Sequence, residues 1–451
     1  MSRGNRSPWL GPLPAREPAA LPRDVEADVA IVGGGIAGLA TAFFAVRDAG
    51  RSVVLLEAGR VAGGATGHNA GQLVSYFEKP LGALADRFGF GLAVAAQRDV
   101  DGAWALLERM RAAAAPDLGV QRFLGHMGMW SENHLEVHLR SNRLRERGGL
   151  ARERCLVSAE GGVPAALERE YGDLYEVVPQ TRIRELLETR DDRYRAVLSF
   201  TKGTLHPVLF CERVASHLRR AHGGRFTLAE GARVERIELD AGGATLAVGG
   251  RRVRAARVVL CTNGYRLPAI ENRAGPPLDP ARQQSLRATV GYMAAFVEPS
   301  GHAPSAISYL ASPRIGEGQA YFYVTRRAFA RDGLAGTLVC IGGPDAELDD
   351  PARYDGAPPV GADVLARLDD FIRPILAPGR RAPLSYDYAW HGLMGYARDG
   401  VRVVGVDPRH PALLYNLGCN GVGLLPGIHG GARVARLLAG EALAPSLFDP
   451  S

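Results

Sequence analysis

Gly33, Gly35 and Gly38 stand in the pattern GxGxxG, between the apolar run DVAIV (28–32) and a stretch of helical periodicity, IAGLATAFFAVRDAG. Without side chains at these positions the backbone can turn tightly, a pyrophosphate can approach it, and the helix can lie close on the strand. The first helical amides, around Ile36 and Ala37, then point at the phosphates. Glu57, followed by Ala58, ends the next apolar run, SVVLLE (52–57), about 20 residues on, where a carboxylate accepts hydrogen bonds from an adenosine ribose. The triplet alone is a weak signal. In this order of strand, turn, helix, strand and acid, it predicts a βαβ unit that binds a dinucleotide.

A second glycine-rich loop, GGATGHNAGQL (63–73), follows at once, with His68 at its centre. A nicotinamide dinucleotide rarely requires a second loop of this kind, whereas the long isoalloxazine end of a flavin does. The pair of loops therefore points to FAD.

The elements that must position these residues are ordinary. A chain of 451 residues with 46% hydrophobic and 23% charged residues reads as soluble and globular, with two domains or one large α/β unit carrying an insertion. The net charge of +6 comes almost wholly from arginine, since Lys79 and Lys202 are the only lysines. No block of like charge and no basic stripe with aromatics argues for nucleic acid. The five cysteines, Cys155, Cys211, Cys261, Cys340 and Cys419, are scattered and never spaced as CxxC, which fits a reducing cytoplasm better than a disulfide or zinc framework. Residues 29–46 are uncharged over about the length of a bilayer span, but three consecutive glycines near the start argue against one. No membrane partner is expected. The first residues, rich in proline and arginine, read as an extended lead-in rather than a secretory signal. HLEVH (134–138) is not HExxH and reads as a solvated helix face. No metal site is expected, and GxSxG, GxxxxGK[ST] and paired catalytic cysteines are missing from the sequence.

Further along, helical patterns dominate 81–200, and a helix with proline near its start and glycine after its end is expected over Pro207–His222. Strand-like runs follow: RVERIEL, ATLAV and RVVLCTN, then ATVGYMAAFV, QAYFYVT and GTLVCIGG in an antiparallel sheet, and finally VRVVGV and ALLYN before a last helix. The predicted fold is α/β: a Rossmann-type dinucleotide domain of discontinuous sequence (24–80, 201–275 and 391–445) and an antiparallel-sheet substrate domain with a helical insertion (81–200 and 276–390), after a lead-in over 1–23.

Three stretches, PWLGPLPAREPAALPRDVEADVAIVGGGIAGLATA, LLEAGRVAGGATGHNAGQL and GVRVVGVDPRHPALLYNLGCNGVGLLPGIHGGARVARLLAGE, together resemble the D-amino-acid oxidase-like family of FAD-dependent amine oxidoreductases, over nearly the whole chain. The early segment is similar to the gamma-glutamylputrescine oxidases, and GATGHNAG to the dimethylglycine and sarcosine dehydrogenases. The resemblance implies an FAD domain of glutathione-reductase type. In those dehydrogenases the matching histidine carries the flavin covalently, so His68 is either an attachment point or a hydrogen-bonding contact. It also implies that Ala65 and Thr66 approach the pyrophosphate, that Asn69, Ala70, Gly71, Gln72 and Leu73 lie beside the isoalloxazine, that Thr262, Asn263 and Val234 lie near the adenine half, and that Gly421, Val422, Gly423 and Leu424 support the flavin N1–O2 edge.

For the substrate, the resemblance offers Tyr321, Tyr323, Tyr388 and Trp390 as an aromatic cage or as core, Arg326 as a clamp for a carboxylate, and Lys202 as a substitute for the oxygen-activating lysine that QAYFYVTRR lacks. No cysteine stands in WHGLMGYARDG, where some relatives attach FAD; Met394 lies nearest. The expected reaction is hydride transfer from the carbon next to an amine nitrogen to flavin N5, giving an imine, with oxygen or an electron carrier as final acceptor. An NAD(P)H-dependent flavin monooxygenase of related fold is the alternative, and a flavin-binding protein without turnover is a more distant one.

Overall fold

The computed structural model describes residues 4–11, 16–21, 23–278, 286–299, 302–317, 321–331, 334–377 and 379–450. Its first sheet is built on Val25–Val32, whose last four residues are buried. That strand pairs in parallel with Val53–Leu56 on one side and Arg251–Leu260 on the other. Phe226–Ala229 and His410–Leu417 extend the parallel set at either end. Such strands are covered on both faces, which is why they read as unbroken Val, Ile and Leu runs. The other half of Arg251–Leu260 turns into an antiparallel meander with Gly243–Val248 and Val234–Asp240.

Two helices, Ile36–Arg47 and Leu424–Leu438, lie together against this sheet. Gly431 makes their close contact possible, because a Cβ there would stand 2.6 Å from the Thr41 backbone nitrogen. The uncharged run 29–46 thus divides into a strand end, a glycine turn and a helix. Among the described residues, no helix is long and apolar enough to cross a membrane. The helix Pro207–His222 has the bounds its proline and glycine suggested.

The second sheet is mostly antiparallel, with Leu286–Pro299 between Leu334–Leu348 and Tyr388–Ala397. Leu334–Leu348 continues to Tyr321–Arg331 and Ser305–Leu310. The stretch 81–200 departs from its helical expectation: besides the helices Phe90–Ala114 and Glu132–Arg147 it sends Gln121–Met129, Arg154–Ser158, Glu176–Val178 and most of Ala196–Thr204 into this sheet. Strong 3.6-residue periodicity in the helices masked the short strands between them. Ala196–Thr204 and Tyr388–Ala397 each run unbroken across an expected boundary, at 200 and at 390. Gln72–Val74 also pairs with Ala196–Thr204, so the loop holding His68 leads directly from the first sheet into the second.

The expected lead-in is partly an internal strap. Trp9 is fully buried, its Nε1 donates to the Asn69 carbonyl at 2.5 Å, and its ring meets that of His206 edge-on. Asn5 brackets the end of another strand: its Nδ2 donates to the His391 carbonyl at 3.0 Å and its Oδ1 accepts from the His391 amide at 2.9 Å.

Candidate active site

A cavity of about 2660 Å³ opens between the two sheets, large compared with the roughly 300–1,000 Å³ of a drug-sized pocket. Gly33, Gly35, Ile36 and Ala37 line it at the first turn, and Glu57 and Ala58 at the end of the next strand. The loop of His68 contributes Ala65, Thr66, His68, Asn69, Ala70 and Gln72. Val234, Thr262 and Asn263 stand on the same wall, and Gly421, Val422, Gly423 and Leu424 close it at the last helix.

The shape and chemistry of this wall fit FAD. Gly33 has φ +112°, and a Cβ on it would stand 2.6 Å from the Cys261 carbonyl oxygen. The helices Ile36–Arg47 and Leu424–Leu438 begin at Gly35 and Gly423, which have no side chain to cap them; the Ile36 amide, expected to face a phosphate, is taken by Thr66, and it is the amides around it that are left for a ligand. Thr66 Oγ1 accepts from the Ile36 amide at 3.0 Å and fixes the second loop against the first turn. Glu57 accepts from the amides of Gly34 (2.6 Å) and Gly59 (2.8 Å); burial raises its carboxyl and these bonds oppose the rise. Gln72 Oε1 and Thr262 Oγ1 are buried on residues of the wall with no partner in the protein. Such atoms are costly unless something bonds them.

His68 ends a short 3₁₀ turn, Ala65–His68, with Nδ1 2.9 Å from the Gly64 carbonyl oxygen. A carbonyl only accepts, so Nδ1 carries the proton and Nε2 keeps its lone pair. Burial lowers the His68 pKa, which favours this neutral form. Gly392 backs the histidine: a Cβ there would stand 2.6 Å from His68 Cβ. Asn263, at φ +53°, braces the turn before the last helix, its Oδ1 accepting from the Cys419 amide at 2.9 Å.

Several expected residues lie elsewhere. Gly38 sits behind the cradle and packs helix on strand. Gly71, at φ +66°, makes a backbone crossing under Leu205 and Trp9, and Leu73 is in the core. Tyr388 and Trp390 share their side of the strand with Gly392, Met394 and Tyr396, which do line the cavity. Their end is instead filled by the cluster containing Trp9, so they are core. Tyr321 and Tyr323 face the cavity, but Arg326 is an odd number of residues away and side chains alternate. It points behind the sheet and is held by Glu188. Lys202 is also off the wall, fully buried, donating to the His126 carbonyl and Ser308 Oγ, each at 3.1 Å. Burial lowers its pKa to about 7. The HLEVH segment is not solvated: His134 is buried, bonds the Ser312 carbonyl at 2.8 Å, and lines the cavity with His138.

The sequence reading missed Tyr76, Glu78, Tyr396 and Arg402, all on the wall. Glu78 accepts from the Tyr321 hydroxyl at 2.7 Å, and burial raises its pKa to about 7. Its one visible signal is a lone acid directly after the second glycine loop. Arg402, nearly buried, donates to Asn416 Oδ1 (2.6 Å) and to the carbonyls of Asn416 (3.1 Å) and Gly418 (3.2 Å) beside the last helix.

Comparison with known proteins agrees with this geometry. The family described as FAD dependent oxidoreductase (DAO) matches residues 28–437. Over 73 residues the chain is 38% identical to gamma-glutamylputrescine oxidoreductase of Escherichia coli (strain K12), a match covering 16% of this chain and 17% of that protein, about a sixth of its length. Glycine oxidase from Geobacillus kaustophilus superposes with a TM-score of 0.65 at 19% identity, over 94% of this chain and 98% of that one. L-proline dehydrogenase from P. horikoshii gives 0.66 at 14%, over 95% and 97%. The structural likenesses speak for the fold, and the match over 28–437 for more: the chain belongs to the DAO family of FAD-dependent oxidoreductases.

Proposed function

We propose that this protein oxidises a small amine or amino acid, with FAD along the first sheet and the substrate against the second. The observation that carries this reading is one continuous cavity, which runs from the N-termini of two helices to a wall of tyrosines around Glu78. Bound flavin would accept, at N5, a hydride from the carbon next to the amine nitrogen, leaving an imine. The chain's part is to orient that C–H bond and to exclude water from it. Glu57 and the amides of both helices would hold the dinucleotide, and Tyr321 and Tyr323 would face the substrate. Mixing the holoenzyme anaerobically with a panel of amines and amino acids should bleach the flavin, whereas NADPH should not. Bleaching by NADPH alone would overturn the reading in favour of a monooxygenase.

The attachment of FAD belongs to the same proposal. The lone pair left on His68 Nε2 supports that atom as the point of attachment to the flavin's 8α-methyl carbon. Acid precipitation should leave yellow colour in the pellet of the wild type and move it to the supernatant in His68→Ala. A colourless wild-type pellet would reduce His68 to a contact.

A further inference from the structure

Glu78 stands where a cation is missing. Its Oε1 accepts from the Tyr321 hydroxyl at 2.7 Å, and among the described residues no arginine, lysine or histidine forms an ion pair with it. The carboxylate lies against the turn before the last helix: a Cβ on Gly421 would stand 2.5 Å from Glu78 Oε1 and 3.0 Å from the Tyr396 hydroxyl. Gly421, at φ +77°, is therefore required twice, for its backbone and for the space. Tyr76, Tyr321, Tyr323 and Tyr396 line the same part of the cavity. A carboxylate in such surroundings is costly unless a positive charge joins it, and aromatic faces favour the same guest.

We propose that Glu78, within these four tyrosines, is the docking point of the substrate's ammonium group and the acceptor of its proton. The inference rests on the amine-oxidising reading of this cleft. The N–H bond of the ammonium breaks, its proton passes to a Glu78 carboxylate oxygen, and the electron pair stays on nitrogen, free to assist departure of the hydride from the neighbouring carbon. The two charges cancel as the proton moves. The substrate class follows: an amine whose reacting carbon bears no carboxylate. A carboxylate there would face Glu78 and Asp345, while Arg326 is held by Glu188 behind the sheet.

The groups facing Glu78 are Tyr76 on its own segment, Tyr321 and Tyr323, Asp345, and Tyr396. Burial raises the tyrosines and keeps them neutral; it also raises Asp345, whose charge adds to the rise at Glu78. Glu78 is protonated below about pH 7 and ionised above, so docking of an ammonium must strengthen as pH rises through that value.

The test is optical titration of the holoenzyme with tert-butylamine, which has no hydrogen on the carbon next to nitrogen and cannot be oxidised there. Affinity should rise about tenfold per pH unit below about pH 7 and level off above it. In E78Q it should fall at least tenfold at pH 8 and lose the pH dependence. Y321F removes a donor that lowers the Glu78 pKa and should move the inflection upward, a readout that stands even if E78Q does not fold. Wild-type binding without pH dependence, an E78Q profile matching wild type, or an unmoved inflection in Y321F would overturn the role of Glu78. A holoenzyme that binds no amine and is bleached by none would instead defeat the amine-oxidising reading itself.

Discussion

Gly38→Ala is expected to yield a protein that purifies without flavin. The added Cβ would stand 1.8 Å from the Gly33 carbonyl oxygen and 3.0 Å from its carbon, and both are backbone atoms that no rotamer change can move aside. Either the helix Ile36–Arg47 lifts off the strand or the turn rotates its peptide. Both outcomes break the cradle, because Gly33 and Gly35 line the cavity on the same turn. Overpacking of this kind costs about 1–3 kcal/mol or more, and a cradle misplaced by that contact should weaken FAD binding at least ~100-fold, near 2.8 kcal/mol. The flavin-to-protein absorbance ratio and an FAD titration of the apoprotein would measure it. A flavin content equal to wild type would show that the turn and helix are not packed as described.

A second large effect is expected at Asn416, fully buried between the two helices. Its Nδ2 donates to the carbonyls of Gly427 (3.1 Å) and Ala37 (3.3 Å), one on each helix, while its Oδ1 accepts from Arg402. Arg402 pairs with no carboxylate among the described residues, and burial lowers its pKa. Asn416→Leu would leave a buried guanidinium short of an acceptor and two helix carbonyls short of a donor. Leaving a buried hydrogen-bonding group without its partner costs about 1–3 kcal/mol, and more where that group is charged, and the midpoint of thermal unfolding should drop by several degrees. Asn416→Asp restores an acceptor for Arg402 but not the donor, so it should recover part of the loss. If the leucine variant unfolds within a degree of wild type, the network carries no stability.

The parts of this molecule that were legible in the sequence are those set by local rules. Glycine spacing, apolar periodicity and a capping proline and glycine placed the βαβ unit, the helix Pro207–His222 and most strands, because each depends on neighbours a few residues away. The site needed more. Arg326 was assigned to the cleft with Tyr323, although the period of two already puts them on opposite faces. Tyr388 and Trp390 were on the correct side of their strand, but the core cluster fills that end, and Arg6, more than 380 residues earlier in the chain, lies over the Tyr388 ring. Glu78 carried only one local signal, its place as a lone acid after the second glycine loop. Its importance comes from Tyr321 and Gly421, which only the folded chain brings to it.

The strap formed by the first residues has a consequence for how the protein is made. Asn5 leaves the ribosome well before its partner His391, which lies 386 positions later. At about 5–20 residues per second, synthesis of the intervening chain takes on the order of 20–80 s. Trp9 can meet Asn69 soon after, since only 60 positions separate them, but the bracket on His391 waits for the whole intervening chain. The molecule is thus drawn shut by residues made long before the strand they hold, and any cofactor that requires the closed form is captured only after that strand has been synthesised.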